Sequence, residues 1–317
     1  MNFRIKIRIS KLNSPIDYSS KIVSLGSCFA VNMAEKLNFF KFQNSCNPFG
    51  ILFHPLAIEK IISKAIKLEF FTEEDIFFHN ERWHCFDVHS ALSNPDKEAF
   101  LNVLNELVKA TNKQITEATH FIITYGTSWV YRNKQMGKVV ANCHKVQQNQ
   151  FGKEILSVAT IERSIQNTID LIEKVNPSCA IIFTVSPVRH IKDGFQENLR
   201  SKSNLISALH SVLEVSPLWA RGIFPSYEIM MDELRDYRFY ADDMLHPNQV
   251  AIDYIWERFS ESTISEKAFS TMEAVETIQK GLLHRPFNSN SESHLKFLKQ
   301  LELKISNLKN EFPYMLF

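Results

Sequence analysis

Ser27 lies in the run Leu25-Gly26-Ser27-Cys28-Phe29-Ala30, between a short apolar stretch and a helical pattern. A serine at such a strand-to-helix turn sits where backbone N–H groups are unpaired and the helix dipole is positive. Gly26 removes the Cβ that would crowd the turn. The hydroxyl can act there as a nucleophile whose own N–H helps form an oxyanion hole. It can equally act as a plain helix N-cap, the default use of serine in that position. The second feature comes late, in Asp242-Asp243-Met244-Leu245-His246-Pro247. A nucleophilic serine needs a base, and the base needs an orienting carboxylate. Asp243 and His246 are spaced to meet on one turn, so the carboxylate can hold the imidazole. Read alone, the same pair is a surface aspartate and a histidine capping the last helix.

The elements between them are those of an α/β protein. A strand over Ile22–Leu25 leads through Gly26 and Ser27 into a helix over Ala30–Leu37. A short strand is expected near Phe42, then a turn at Asn47-Pro48-Phe49-Gly50. Helices are expected over 56–68, 96–111, 155–175 and 197–215. The β-branched and aromatic runs Thr119–Tyr125 and Cys179–Val185 read as buried strands, and Pro225–Met231 as one more. His246-Pro247 opens a last helix through Ala251, Ile255 and Phe259. Near-continuous apolar strands alternating with helices imply a parallel sheet covered on both faces. The fold expected is three-layer α/β/α and flavodoxin-like, with about five central strands. Ser27, Gly50, Gly126 and Ser186 all follow expected strands and so fall on the carboxyl edge, where such sheets place their sites. The chain divides into this unit over 1–262 and a polar, helical C-terminal extension over 263–317, broken at Asn288–Ser293. At the other end Phe3, Ile5, Ile7 and Ile9 alternate with Arg4, Lys6 and Arg8, the pattern of a charge-protected edge strand.

The 317 residues carry 36 basic and 35 acidic side chains, a net charge of +1 that gives no reason to expect nucleic acid or an acidic membrane as partner. No stretch is long and apolar enough for a transmembrane helix, and the N-terminus lacks the apolar core of a secretory signal. A cytoplasmic location is expected. Five widely spaced cysteines without a C-x-x-C pair read as reduced thiols.

Taken together, an early serine after the first strand and a late D-x-x-H before the last helix resemble the SGNH (GDSL-like) hydrolase superfamily. The string Gly26-Ser27-Cys28-Phe29-Ala30 is the signature of the GSCFA family, assigned to that superfamily. The segments 47–50, 125–131, 140–146, 184–188 and 237–247 are similar to that family's shared segments. The resemblance implies Ser27 as nucleophile, Asp243 and His246 as its partners, and the N–H of Gly50 as an oxyanion donor. Ser128 stands where the superfamily carries an asparagine whose amide completes the oxyanion hole. Either Ser128 substitutes or Asn142, from the Asn142-Cys143-His144-Lys145 segment, swings in. Loss of one such donor costs about 10²–10³ in rate.

Other residues have competing uses. Cys28 adjoins Ser27, but neighbours in a helix-opening turn point about 100° apart, so Ser27 is assigned the base and Cys28 is read as a small hydrophobe. His79, His84, Cys85, Asp87 and His89 cluster without a standard zinc spacing. No metal or organic cofactor is expected. His89, His144 and Arg189 are the expected substrate-binding residues, Arg189 toward an anionic part of the substrate. The function expected is a serine esterase removing a small O-acyl group, such as acetyl, from a carbohydrate. An O-acyltransferase with the same triad, or a carbohydrate-binding scaffold that has lost turnover, are the alternatives. A small-molecule or glycan acyl ester is the expected substrate.

Overall fold

The computed structural model describes residues 5–214 and 221–317. Along the chain, β1 (Lys21–Gly26) passes through Ser27 into α1 (Cys28–Phe39), and β2 (Gln43–Cys46) follows. After α2 (Pro55–Ile66) comes a hairpin of β3 (Ile76–His79) and β4 (Arg82–Cys85). Then come α3 (Lys97–Glu117) and β5 (His120–Tyr125). Next, β6 (Trp129–Asn133), β7 (Val139–Val140) and β8 (Phe151–Ile155) form a small antiparallel sheet. The alternation resumes with α4 (Val158–Val175), β9 (Ala180–Val185), α5 (Phe195–Glu214) and β10 (Arg221–Phe224). A short α6 (Ser226–Glu228) continues as a π-helical turn over Ile229–Leu234. The chain ends in α7 (Gln249–Thr263), α8 (Phe269–Leu283) and α9 (Glu292–Glu311).

β1, β2, β5, β9 and β10 pair in parallel in the order β10–β9–β5–β1–β2. Numbered by chain position, these five run 2-1-3-4-5, the flavodoxin-like doubly wound order. The pleat divides the core. Val23, Leu25, Phe121, Ile123, Ile181 and Phe183 pack on the side of α2, α3, α4 and α5. Ile22, Ile122, Ile182 and Phe224 pack on the side of α1, α7 and α8. This is the expected three-layer architecture. β5 and β9 are buried along their whole length, which is why they read as unbroken apolar runs.

Several elements differ from expectation. Pro225–Met231 is helical, and the edge strand is Arg221–Phe224 just before it. Pro225 lacks the N–H a strand would need and stands at the entry of the helix instead. The helix expected from 155 begins at Val158, because Ile155 pairs with Trp129 in β8. Phe3 and Arg4 of the expected N-terminal strand, and Val215 at the end of the helix expected over 197–215, lie outside the described residues. Residues 5–10 form no ladder but run as an extended strap. The Ile7 N–H donates to Glu233 Oε1 at 2.6 Å and its carbonyl accepts from Arg258 at 2.6 Å, so helix side chains take the place of a strand neighbour.

The C-terminal helices shape the α1 side of the core. Met272, Val275 and Ile278 of α8 are buried in the cluster that holds Leu37, Phe42 and Phe259. Tyr314 donates to the Tyr18 carbonyl at 2.7 Å, and Tyr18 stacks on Phe42 at 4.5 Å. Among the described residues no helix is long and apolar enough to cross a membrane.

Candidate active site

Asp243 and His246 sit on the loop between the π-helical turn and α7, at the carboxyl edge of the sheet. Asp243 Oδ1 accepts from the backbone N–H groups of Leu245 and His246, both at 2.9 Å. Its Oδ2 meets His246 Nδ1 at 2.6 Å. Met244 takes φ +60°, which reverses the chain so tightly that one carboxylate reaches both amides and the ring. The His246 and Leu245 amides, with the His246 ring, hold the Asp243 carboxyl down to about 2. It is therefore ionised at neutral pH and accepts the Nδ1–H of His246. The side chains of His246 and Asp243 are 47% and 46% exposed, so substrate can reach them.

Nε2 points at sulfur. Cys28 Sγ lies 3.7 Å from His246 Nε2, within hydrogen-bond reach for a thiol. Ser27 does not meet His246: it is 0% exposed, and its Oγ has no hydrogen-bond partner. The one-hundred-degree step between neighbours at the helix start holds, but it turns Cys28 toward the base and Ser27 into the sheet edge. Ser27 occupies the N-cap position of α1 without a side-chain cap bond. Burial pushes the Cys28 thiol up, opposed by the charge of Lys202 and by the backbone amides of Phe29 and Cys28, while Asp243 adds to the rise.

The expected oxyanion donors are mostly engaged elsewhere. The Ser27 N–H donates to the Thr124 carbonyl at 3.0 Å, and the Gly50 N–H to the Asn47 carbonyl at 2.7 Å. Gly50 is needed for another reason: at φ +77° a Cβ would stand 2.3 Å from His89 Cβ. Ser128 Oγ is buried against α5, donating to the Ser201 carbonyl at 3.1 Å. Asn142 is half-buried, with Oδ1 accepting from the His144 N–H and Nδ2 weakly placed on Ser90 Oγ at 3.4 Å.

The expected binding residues separate. His144 Nε2 meets the Cys85 carbonyl at 2.6 Å, and burial pushes its ring down to about 4, so it is a neutral structural group. His89 caps its own short turn, accepting from the Ala91 N–H at 3.2 Å. Arg189 stays near the site. Its N–H donates to the Leu245 carbonyl at 3.2 Å, and its guanidinium lies 4.3 Å from the Tyr240 ring centroid. In the histidine-rich segment, His84 is taken up by Ser93 and the His79 carbonyl, and Asp87 by Lys60. Among the described residues no three His, Cys, Asp or Glu side chains are grouped to hold a metal ion.

Two features escaped the sequence reading. Lys202 on α5 is fully buried, and its ammonium donates to the Gly126 and Ser186 carbonyls at 2.6 and 2.7 Å. Burial pushes its amine down to about 7, against the raising effect of Cys28. Its signal was a lysine in register with the apolar stripe of Leu205 and Leu209. Second, a groove of about 320 Å³ is lined by Phe53, Trp129, Tyr131, Asn142, Lys153 and His190, among others. It begins beside the turn that follows β5, where the Phe53 carbonyl accepts from the Gly126 and Thr127 N–H groups and Gly126 packs against Ser27. A larger cavity of about 560 Å³ lies between the N-terminal strap and β10.

A sequence profile of the GSCFA family matches residues 21–259, and a profile of the GSCFA domain protein C-terminal domain matches residues 275–317. No curated protein matches the chain. Solved structures with similarity include an acetyl esterase variant with acetate ion, at 10% identity and TM-score 0.28, covering 51% of this chain and 66% of that one. Another is an acetyl xylan esterase from the rumen bacterium Butyrivibrio proteoclasticus, at 11% identity and TM-score 0.39, covering 78% of this chain and 65% of that one. Each match spans just under two thirds of the solved chain.

Proposed function

This chain belongs to the GSCFA family, and we propose that it is a carboxylic ester hydrolase of SGNH type whose nucleophile is Cys28 in place of a serine. The observation that carries this reading is the alignment of Asp243, His246 and Cys28, with the imidazole between carboxylate and thiol. His246 Nε2 takes the thiol proton as Sγ attacks the acyl carbon. Asp243 steadies the imidazolium that forms. The collapsing intermediate expels the alkoxide, which takes the proton back from His246, and leaves a thioester on Cys28. Water, deprotonated by His246, then releases the acid and restores the thiol. The positive end of α1 favours both thiolate and oxyanion.

The acyl group is small, such as acetyl, and its alcohol is a sugar lying in the groove beside the site. Trp129 and Tyr131, two apart on β6, line that groove with Asn142 and with the Lys153–Asp193 ion pair, whose ammonium lies over both rings. Five free cysteines without a disulfide among the described residues suit the reducing cytoplasm. The test is hydrolysis of p-nitrophenyl acetate by wild type, Cys28→Ala and Ser27→Ala, with folding checked by circular dichroism. Loss of turnover in Cys28→Ala alone is the expected result. Loss in Ser27→Ala with Cys28→Ala active returns the nucleophile to Ser27.

A further inference from the structure

We propose that Arg189 selects esters whose alcohol part carries an anionic group, a carboxylate or a phosphate, held by the free fork of its guanidinium. This deepens the reading of the chain as an ester hydrolase and rests on it. Ser186-Pro187-Val188 carry the chain out of β9 at the carboxyl edge of the sheet, and Arg189 follows. Its backbone N–H donates to the Leu245 carbonyl at 3.2 Å, next to His246. Its guanidinium lies 4.3 Å from the Tyr240 ring centroid, and Tyr240 pairs with Pro247, on the other side of His246. Main chain and side chain thus both seat Arg189 on the loop that carries Asp243 and His246.

That seat uses the charge of the guanidinium but not its donors. The rings of Tyr237 and Phe195 stand 5.3 and 5.8 Å from it. Aromatic faces attract the cation through their quadrupoles and leave the in-plane N–H groups of the fork unspent. Nη1 is buried with no hydrogen-bond partner. Among the described residues no carboxylate pairs with Arg189. In the segments that seat it, Asp193 pairs with Lys153, Asp236 with Arg238 and Asp243 with His246. Tyr240 is buried, whereas Tyr237 and Phe195 are exposed, so the floor of the seat is closed and its rim opens to solvent.

A half-buried guanidinium with an unspent fork is costly to keep, and an aliphatic side chain would pack on Tyr240 without that cost. A carboxylate or phosphate fits the vacancy, because either accepts two parallel N–H bonds from one guanidinium. In the proposed reaction the acyl group is too small to carry the charge, so the anion belongs to the alcohol. His190, the next residue, lines the groove assigned to the sugar, and Lys192 adds a second positive charge there. The substrate class is therefore an O-acetylated acidic sugar, its ring in the groove and its anionic group on Arg189.

The test compares hydrolysis of p-acetoxybenzoate with that of its neutral counterpart p-acetoxybenzamide, by wild type and by Arg189→Gln. The preference is the ratio of the two kcat/KM values. It is expected to favour the benzoate in wild type and to fall about tenfold or more in Arg189→Gln, chiefly through KM, with near-ultraviolet circular dichroism unchanged. An arginine used only for packing would affect both esters alike, so a preference that does not move overturns the inference. Arg189→Lys keeps a charge over Tyr240 but removes the fork, and its preference is expected to lie between the other two. Should Arg189→Gln fail to fold, Arg189→Lys is read alone, and a full wild-type preference there overturns the inference. Failure of wild type to hydrolyse these esters and p-nitrophenyl acetate counts against the hydrolase reading. Calorimetric binding of p-hydroxybenzoate and p-hydroxybenzamide then decides for Arg189. Tighter binding of the benzoate, lost in Arg189→Gln, supports the inference, and equal binding overturns it.

Discussion

His246 faces two different partners with its two ring nitrogens, and the consequences at the scale of single residues follow from that. Asp243 fixes the Nδ1–H, so Asp243→Asn leaves the loop but removes the charge that selects the tautomer. Turnover of p-nitrophenyl acetate is expected to fall by up to about 10⁴-fold, with the thermal midpoint little changed; full activity would contradict the role. Ser27→Ala removes a fully buried hydroxyl that has no partner, so stability is expected to hold or rise by a few tenths of a kcal/mol, with turnover retained. A drop above about 1 kcal/mol in urea unfolding would show an unseen bond. Because burial holds the thiol up, turnover at saturating substrate is expected to climb with pH through neutrality as the thiolate fraction grows. The D-x-x-H pair was legible because its spacing and its turn are local. The approach of Cys28 to His246 was not: Ser27 and Cys28 are adjacent, both suit a helix start, and only the side-chain directions set by Gly26 and the β1–β5 register decide which one meets the imidazole.

The elements place the site through close contacts at strand ends. Gly26 has φ +140°, and a Cβ there would stand 2.1 Å from the Thr124 carbonyl oxygen. Gly26→Ala is therefore expected to destabilise by on the order of 3 kcal/mol, read as a lower urea midpoint. A second consequence concerns α2, whose N-cap is His54. Its Nδ1 accepts from the Ala57 N–H at 3.2 Å, and Nε2 meets the Val140 carbonyl at 3.1 Å. Burial pushes this ring down to about 4, below its value in an unfolded chain of about 6.5. The unfolded state then binds more protons between those values, so the contribution is whole above about 6.5 and is lost as pH falls through about 4. His144 and His190 act in the same direction. The urea midpoint is expected to fall on going from about pH 7 to about pH 4.5, and less steeply in His54→Asn, which keeps a capping acceptor. An equal slope in that variant would contradict the assignment. β5 and β9 were legible because strands buried on both faces are continuous apolar runs. The hairpin of β3 and β4 and the short strand Val139–Val140 carry no such pattern and were missed. Pro225–Met231 misled because Ile229-Met230-Met231 is apolar in either period.

At the scale of the whole molecule, α8 and α9 share a core with the sheet. Ile278 and Val275 are fully buried against the α1 side, and Gln279 donates to the Phe39 carbonyl at 3.0 Å. A chain ending after Ile264 would expose that face. It is expected to lose its cooperative thermal transition and to bind a hydrophobic dye, and an unchanged melt would contradict the shared core. The extension was legible as helical from its polarity, but not its seat on α1, since contacts between distant segments leave no local pattern. The same holds for the burial of Lys202, whose carbonyl partners, Gly126 and Ser186, come from distant segments of the chain.

The central claim is that the acyl group passes through the Cys28 sulfur. The most direct measurement is to quench the enzyme in acid during turnover of p-nitrophenyl acetate and to locate the acetyl group by fragmentation mass spectrometry of the peptide spanning Ser27 and Cys28. The account predicts a thioester on Cys28, released by neutral hydroxylamine and absent from His246→Ala. An oxygen ester on Ser27 that survives the same hydroxylamine treatment would contradict it.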